Sequence, residues 1–291
     1  EKKTIIDHSS GEISTEESTV LLEAVKAQLQ NESFRFYAGT SYRHCLIWNQ
    51  GRVIELSQPH DVLGQVIGPY LPENENFRCM MERSYDILVN HPINIERKKK
   101  GLRPANCCWF WGAGTKPALS SFAEKTGRKG MMVSAVDLLK GIAVGAGMGV
   151  AQVEGANGGL HTNYEGKVLA AIEALKQDYD FVYIHVEAPD EMGHQGSVEK
   201  KVQAIECLDK RVIGPLVKKL DADGISYRLL VMPDHPTPIR VRTHTAQPVP
   251  YLLYDSDFPV SCALSYNEKE AAGSGNFVSA GHKIIDKLFE K

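Results

Sequence analysis

From about residue 105 onward, short apolar runs alternate with segments of helical periodicity, and no other feature constrains the fold as strongly. Strands that are apolar throughout are buried on both faces, as in a parallel sheet covered by helices. The runs are Cys107 to Trp111, Met131 to Ser134, Val150 to Val153, Phe181 to Val186, Tyr227 to Met232 and Pro250 to Tyr254. Between them, Thr162-Asn163-Tyr164-Glu165 has the form of a capping box and opens a helix expected to reach Leu175. Val198 to Leu220 supplies another helix, which Gly214-Pro215 should kink or break.

The first hundred residues read differently. Ser14-Thr15-Glu16-Glu17 is a capping box, and Leu21, Val25 and Leu29 follow on one face of the helix it starts. Tyr42 to Trp48 and Arg52 to Leu56 flank Asn49-Gln50-Gly51, a hairpin pattern in which the glycine can take the positive φ. A further helix carries Phe77, Met80, Met81, Ser84 and Leu88 at helical spacing and stops before Pro92. Two domains are therefore expected, a small α+β lobe over residues 1–105 and an α/β sheet domain over residues 106–291.

A net charge of -3 gives no global attraction to nucleic acid or to an anionic membrane, so neither is expected as a partner. The dense basic run from Arg97 to Lys100 has the look of a solvated turn, with a weaker claim as a phosphate site. The six cysteines include no CxxC pair, which suits reduced thiols and a cytoplasmic protein. No apolar stretch approaches the ~20 residues of a membrane helix. The chain opens on Glu1 rather than Met, consistent with something having been removed upstream.

In an open parallel sheet, ligands bind beyond the carboxyl ends of the strands. After Phe181 to Val186 come Asp190 and His194, a carboxylate and an imidazole four residues apart; after Tyr227 to Met232 come Asp234 and His235; before the next strand stands His244. Carboxylate oxygen and imidazole nitrogen suit zinc or manganese, and two such ions about 4 Å apart can clamp the oxygens of a transferring phosphoryl group. Prolines beside Asp190 and around Asp234-His235 stiffen these loops, as a preorganised metal site requires. The residues alone thus suggest a dimetal phosphotransferase.

At these positions HVEAPDEMGHQG, DHPTP and RTHTAQPVPY resemble successive stretches of the archaeal-type cofactor-independent phosphoglycerate mutases of the alkaline phosphatase superfamily. DHSSGEIS, SYRHCLIW, QPHDVLG, RPANCCWFWGAG, SAVDLLKGI and TNYEGK extend the resemblance over nearly the whole chain. It implies an alkaline-phosphatase-like, mostly parallel sheet with helices on both faces and a smaller inserted cap domain. It also implies two divalent ions, manganese or zinc with magnesium a further candidate, and no need for 2,3-bisphosphoglycerate. Asp190, His194 and His244 would hold one ion, and Asp234 and His235 would help to hold the other.

The implied reaction interconverts 3-phosphoglycerate and 2-phosphoglycerate, in glycolysis and gluconeogenesis, through a phosphoserine. The family's nucleophilic serine lies in a GSDVAN-like stretch, and a further ligand lies in a GDGMAD-like one. Neither occurs here, so the chain is expected to lack the nucleophile, to have an incomplete second site, and to want an N-terminal piece of roughly one hundred residues. Within family-like motifs, Arg43, Lys140 and Arg103 are the cations expected to hold the small phosphorylated substrate. Glu12 stands where that family often has His or Arg, which leaves room for a different ligand. His8 and His60 sit in motif stretches, whereas His185, on an apolar strand, reads as a satisfied core histidine. Competing functions are phosphoryl transfer involving homoserine, a metal-dependent phosphatase or phosphonate hydrolase, and a non-catalytic module.

Overall fold

A computed structural model of the chain describes residues 3–290, so that Glu1 lies outside the described residues. The chain divides into two compact units, Glu1–Pro117 and Ala118–Lys291.

In the first unit Ser14 caps α1 (Thr15–Leu29), its hydroxyl accepting from the Glu17 amide at 3.2 Å, and Leu21, Leu22, Val25 and Leu29 are buried. β1 (Phe34–Tyr37) and β2 (Cys45–Trp48) pair antiparallel, with Phe34 opposite Trp48. The expected partner, Arg52 to Leu56, forms no strand. Phe34 and Phe36 point inward while Arg35 and Tyr37 point out, so 34–37 offers the apolar face that packs on Trp48 and Phe77. The turn after β2 is present, but Gln50 takes the positive φ of 54°. Gly51 serves close approach, because a Cβ there would stand 2.2 Å from the Trp48 ring.

α2 (Glu75–Leu88) buries Phe77, Met80, Met81, Ser84 and Leu88, the stripe its spacing indicates. In α3 (Pro92–Lys99) Asn94 and Arg97 are buried. Arg97 is tied to Glu17, to the Ser10 carbonyl at 2.7 Å and to the Arg103 carbonyl at 2.9 Å, leaving only Lys98, Lys99 and Lys100 of the basic run exposed. The run Cys107 to Trp111 is not a sheet strand. Cys108 and Phe110 pack into the first unit's own core, Phe110 with its ring 5.2 Å from that of Phe77, which accounts for its apolar character.

The second unit runs α4 (Phe122–Thr126), β3 (Gly130–Val133), α5 (Asp137–Gly145), β4 (Gly149–Val150), α6 (Tyr164–Lys176) and β5 (Phe181–Ile184). β3 is central in a parallel sheet of order β4-β3-β5, with Met131 opposite both Gly149 and Val182. Asn163 rather than Thr162 caps α6, accepting from the Gly166 amide at 2.8 Å, while the Thr162 hydroxyl accepts from the Asn157 amide.

α7 (Ala188–His194) and α8 (Val198–Leu208) follow, and α8 passes through a π-helical turn, Asp209–Ile213, into α9 (Gly214–Ala222). The Gly214 amide bonds to the Asp209 carbonyl, so the wide turn absorbs the interruption and Pro215 begins a fresh helix where no amide is needed. β6 (Arg228–Val231) and β7 (Leu252–Asp255) then pair antiparallel, and α10 (Glu268–Gly273) and α11 (Ile284–Phe289) close the chain. Val133, Tyr164, Ala171, Ile172, Ala188 and Met192 lie at the centre of this unit's core.

Candidate metal centre

The burial of α7 aims the first two candidate ligands. Ala188 and Met192 are one turn apart and sit in the core, so Asp190 and His194, also one turn apart, project from the far side. Their side chains meet, with Asp190 Oδ2 3.2 Å from His194 Nε2. His244, ahead of β7, places Nε2 3.1 Å from His194 Nε2 and 3.5 Å from Asp190 Oδ1. His235, from the loop after β6, lies with its ring centre 3.7 Å from that of His244, the two rings tilted by 31°, and its Nε2 lies 3.3 Å from Asp234 Oδ2. One donor atom each from Asp190, His235 and His244 lies within 4.8 Å of the others.

These spacings suit a cation. A tetrahedral ion with ligands at about 2.0–2.1 Å holds its donor atoms about 3.4 Å apart, and the pairwise contacts among Asp190, His194 and His244 are close to that, Asp190 meeting His194 through Oδ2 and His244 through Oδ1. The tautomers agree with it as well. His194 Nδ1 lies 3.0 Å from the Arg242 carbonyl, which only accepts, so that nitrogen carries the proton and Nε2 keeps its lone pair. Arg242 presents the carbonyl from a left-handed backbone, φ 58°, and Gly196 leaves room for its guanidinium, since a Cβ there would stand 2.3 Å from Nε.

The expected substrate cations are engaged locally. Lys140 Nζ lies 3.5 Å from Asp137 Oδ1 in the second unit. In the first unit the Arg43 guanidinium lies over the Tyr42 ring at 4.4 Å, and Arg103 Nη1 donates to Asp7 Oδ2 at 2.7 Å. His8 stands edge-on to Tyr42 and to His60. His185 follows the last residue of β5, half-buried, with Nδ1 3.3 Å from the Ser134 hydroxyl. Burial, reinforced by the charge of Lys167, holds it below the ordinary histidine range.

Three contributors escaped the motif-level reading. Lys167, 1% exposed, donates to the His185 carbonyl at 2.8 Å and anchors the chain where it leaves β5. Lys201 donates to the Thr237 carbonyl at 2.6 Å. The Thr237 hydroxyl itself bonds to Asp190 Oδ1 and lies 3.3 Å from His235 Nδ1. The family-like stretches DHPTP and TNYEGK contain Thr237 and Lys167 and so offered a signal in advance, whereas Lys201 lies in none of the quoted stretches.

The profile of the Metalloenzyme superfamily matches residues 38–289. A 2,3-bisphosphoglycerate-independent phosphoglycerate mutase of Methanosarcina mazei is 44% identical over 277 residues, covering 94% of this chain and 70% of its own. A protein of the same name from Methanosarcina barkeri is 46% identical, covering 94% of this chain and 69% of its own. A probable mutase of that kind from Geobacter sulfurreducens is 43% identical, at 98% and 72%. Among solved structures, a Pyrococcus horikoshii protein superposes with a TM-score of 0.75 at 27% identity, covering 98% of this chain and 71% of that one. The cofactor-independent phosphoglycerate mutase of Thermoplasma acidophilum, at TM-score 0.59 and 23% identity, covers 98% of this chain and 72% of its own, and shares the fold.

Proposed function

As this chain belongs to the Metalloenzyme superfamily, and within it to the 2,3-bisphosphoglycerate-independent phosphoglycerate mutases, we propose that it serves the metal-dependent interconversion of 3-phosphoglycerate and 2-phosphoglycerate. The observation that carries the reading is the convergence of carboxylate and imidazole donors on one spot, with Asp190, His194 and His244 in pairwise contact at 3.1–3.5 Å and His235 clustered with Asp190 and His244. Asp190, His194 and His244 hold one divalent ion, and Asp234 and His235 contribute to a second. Manganese and zinc suit this oxygen-and-nitrogen donor set, magnesium less well. When bound, the ions offset charge on the phosphoryl oxygens.

The protein's own part is positioning. The Arg242 carbonyl keeps the proton of His194 on Nδ1, and the core contacts of α7 keep Asp190 and His194 on one side of the helix. Lys140 is assigned to the substrate phosphate, with Arg43 and Arg103 as further substrate contacts. The first unit is assigned the role of the family's inserted cap domain. Among the described residues no helix is long and apolar enough to cross a membrane; the six cysteines are free thiols, in keeping with a cytoplasmic enzyme of glycolysis and gluconeogenesis.

No serine of residues 1–291 is assigned the nucleophile's role. The test is product analysis with 3-phosphoglycerate and added manganese or zinc, on residues 1–291 and on the protein extended to the full length of its relatives. The expected result is 2-phosphoglycerate from the extended protein alone, lost on Asp190→Ala. Release of free phosphate without 2-phosphoglycerate, or phosphoryl transfer to homoserine instead, overturns the assignment.

A further inference from the structure

Thr237 lies at the meeting point of the three segments that carry the candidate ligands. It is 4% exposed and flanked by Pro236 and Pro238, which stiffen its loop. Its carbonyl accepts from Lys201 of α8, and Gly193 of α7 lets that carbonyl come close, since a Cβ at 193 would stand 2.6 Å from it. The carbonyls on either side of it hold the next segment, Pro236 accepting from the Thr245 amide at 3.1 Å and Pro238 from the Arg242 amide at 2.9 Å. The backbone around Thr237 thus touches the helix bearing Asp190 and His194 and the segment bearing His244.

The hydroxyl completes the arrangement. It has one proton and two lone pairs, and its two neighbours are Asp190 Oδ1 and His235 Nδ1. An ionised carboxylate only accepts, so the hydroxyl proton goes to Asp190. The hydroxyl oxygen is then the acceptor, and His235 must donate to it from Nδ1. That choice leaves the lone pair of His235 on Nε2, the nitrogen that faces Asp234. One hydroxyl therefore orients a carboxylate assigned to one ion and selects the tautomer of an imidazole assigned to the other.

We propose that Thr237 is a positioning residue that links the two metal positions, holding Asp190 and His235 in one chain of hydrogen bonds so that each ligand is preorganised by the other. The proposal rests on the reading of Asp190 and His235 as metal ligands. Losing an outer partner of a metal ligand commonly lowers metal affinity about 10–100-fold. Valine has nearly the shape of threonine without its hydroxyl, and serine keeps the hydroxyl without the methyl.

The experiment is calorimetric titration of residues 1–291 with manganese, in the wild type, Thr237→Val, Thr237→Ser and Asp190→Ala, alongside the melting temperature of each metal-free protein. The expected result is a fall of about 10–100-fold in affinity for Thr237→Val, recovery to within about threefold of wild type for Thr237→Ser, and no measurable binding for Asp190→Ala. A purely structural role would move the melting temperature of Thr237→Val while leaving its manganese affinity in place, and that outcome overturns the proposal. Failure of Thr237→Ser to bind better than Thr237→Val overturns it too. Wild-type affinity in Asp190→Ala strikes instead at the ligand reading, and the two failures are thereby told apart.

Discussion

Replacing Gly193 with alanine sets two effects of opposite sign against each other. Gly193 lies inside α7, where alanine is favoured over glycine by about 1 kcal/mol in helix propensity alone. At this position, however, the added Cβ would stand 2.6 Å from the Thr237 carbonyl oxygen and 3.0 Å from Lys201 Nζ. Ordinary contact begins near 3.4 Å, so the loop must retreat by about 0.8 Å, and overpacking of this kind costs about 1–3 kcal/mol. The hydrogen bond from Lys201 to Thr237 crosses the same gap and is disturbed by the shift; bonds to charged groups contribute about 1.5–3 kcal/mol. The net expectation is destabilisation by about 1–3 kcal/mol, seen as a fall in the melting temperature of metal-free protein of about 2–4 °C per kcal/mol. Manganese affinity should fall with it, because the retreating loop carries the hydroxyl that orients Asp190. Scanning calorimetry and metal titration on the same preparation measure both. A rise in melting temperature, as helix propensity alone demands, with unchanged manganese binding would show that the close packing of α7 on the Thr237 loop does not hold.

Two further predictions concern the first unit. Burial by itself raises the Asp7 carboxyl, but the Ser9 amide and hydroxyl, Arg103 and the Gly11 amide together bring it down to about 2. Its contribution, about 1–2 kcal/mol after allowance for solvent, is therefore present above the unfolded value near 4 and is lost as pH falls through about 2. The gap in urea midpoint between wild type and Asp7→Asn should be full at pH 7 and narrow below about pH 4, and a gap independent of pH contradicts the assignment. Asn94, fully buried, donates to the Leu88 and Ala105 carbonyls and accepts from the Ala105 amide; the Leu88 carbonyl also accepts from the His91 amide, so Asn94→Ala strands the two backbone groups of Ala105. It should cost about 3 kcal/mol in urea denaturation, and a loss below about 1 kcal/mol would mean that the segment at Ala105 finds other partners.

Much of this protein follows from local pattern. Ser14 and the stripe from Phe77 to Leu88 mark their helices because capping and a 3.6-residue apolar period are properties of a few adjacent residues. The four-residue spacing of Asp190 and His194 places both on one side of any helix that contains them, and the donor types of the clusters pointed to the metalloenzyme family to which the chain belongs. The partners of each element were not. Arg52 to Leu56 reads as well as a strand as Phe34 to Tyr37 does, and only the packing of Phe34 on Trp48 and Phe77 decides between them. Cys107 to Trp111 is as apolar as a sheet strand but lines the first unit's core, and β7 runs antiparallel to β6 although its composition is silent on direction. At the site, His194 meets His244 across 50 positions of sequence, and Thr237 meets Asp190 across 47. Periodicity reports which face of an element is apolar, not what will cover it. Closing loops of that length costs entropy that only the packed core offsets, so the convergence of these side chains, and the part played by one buried hydroxyl among them, is decided by tertiary structure alone.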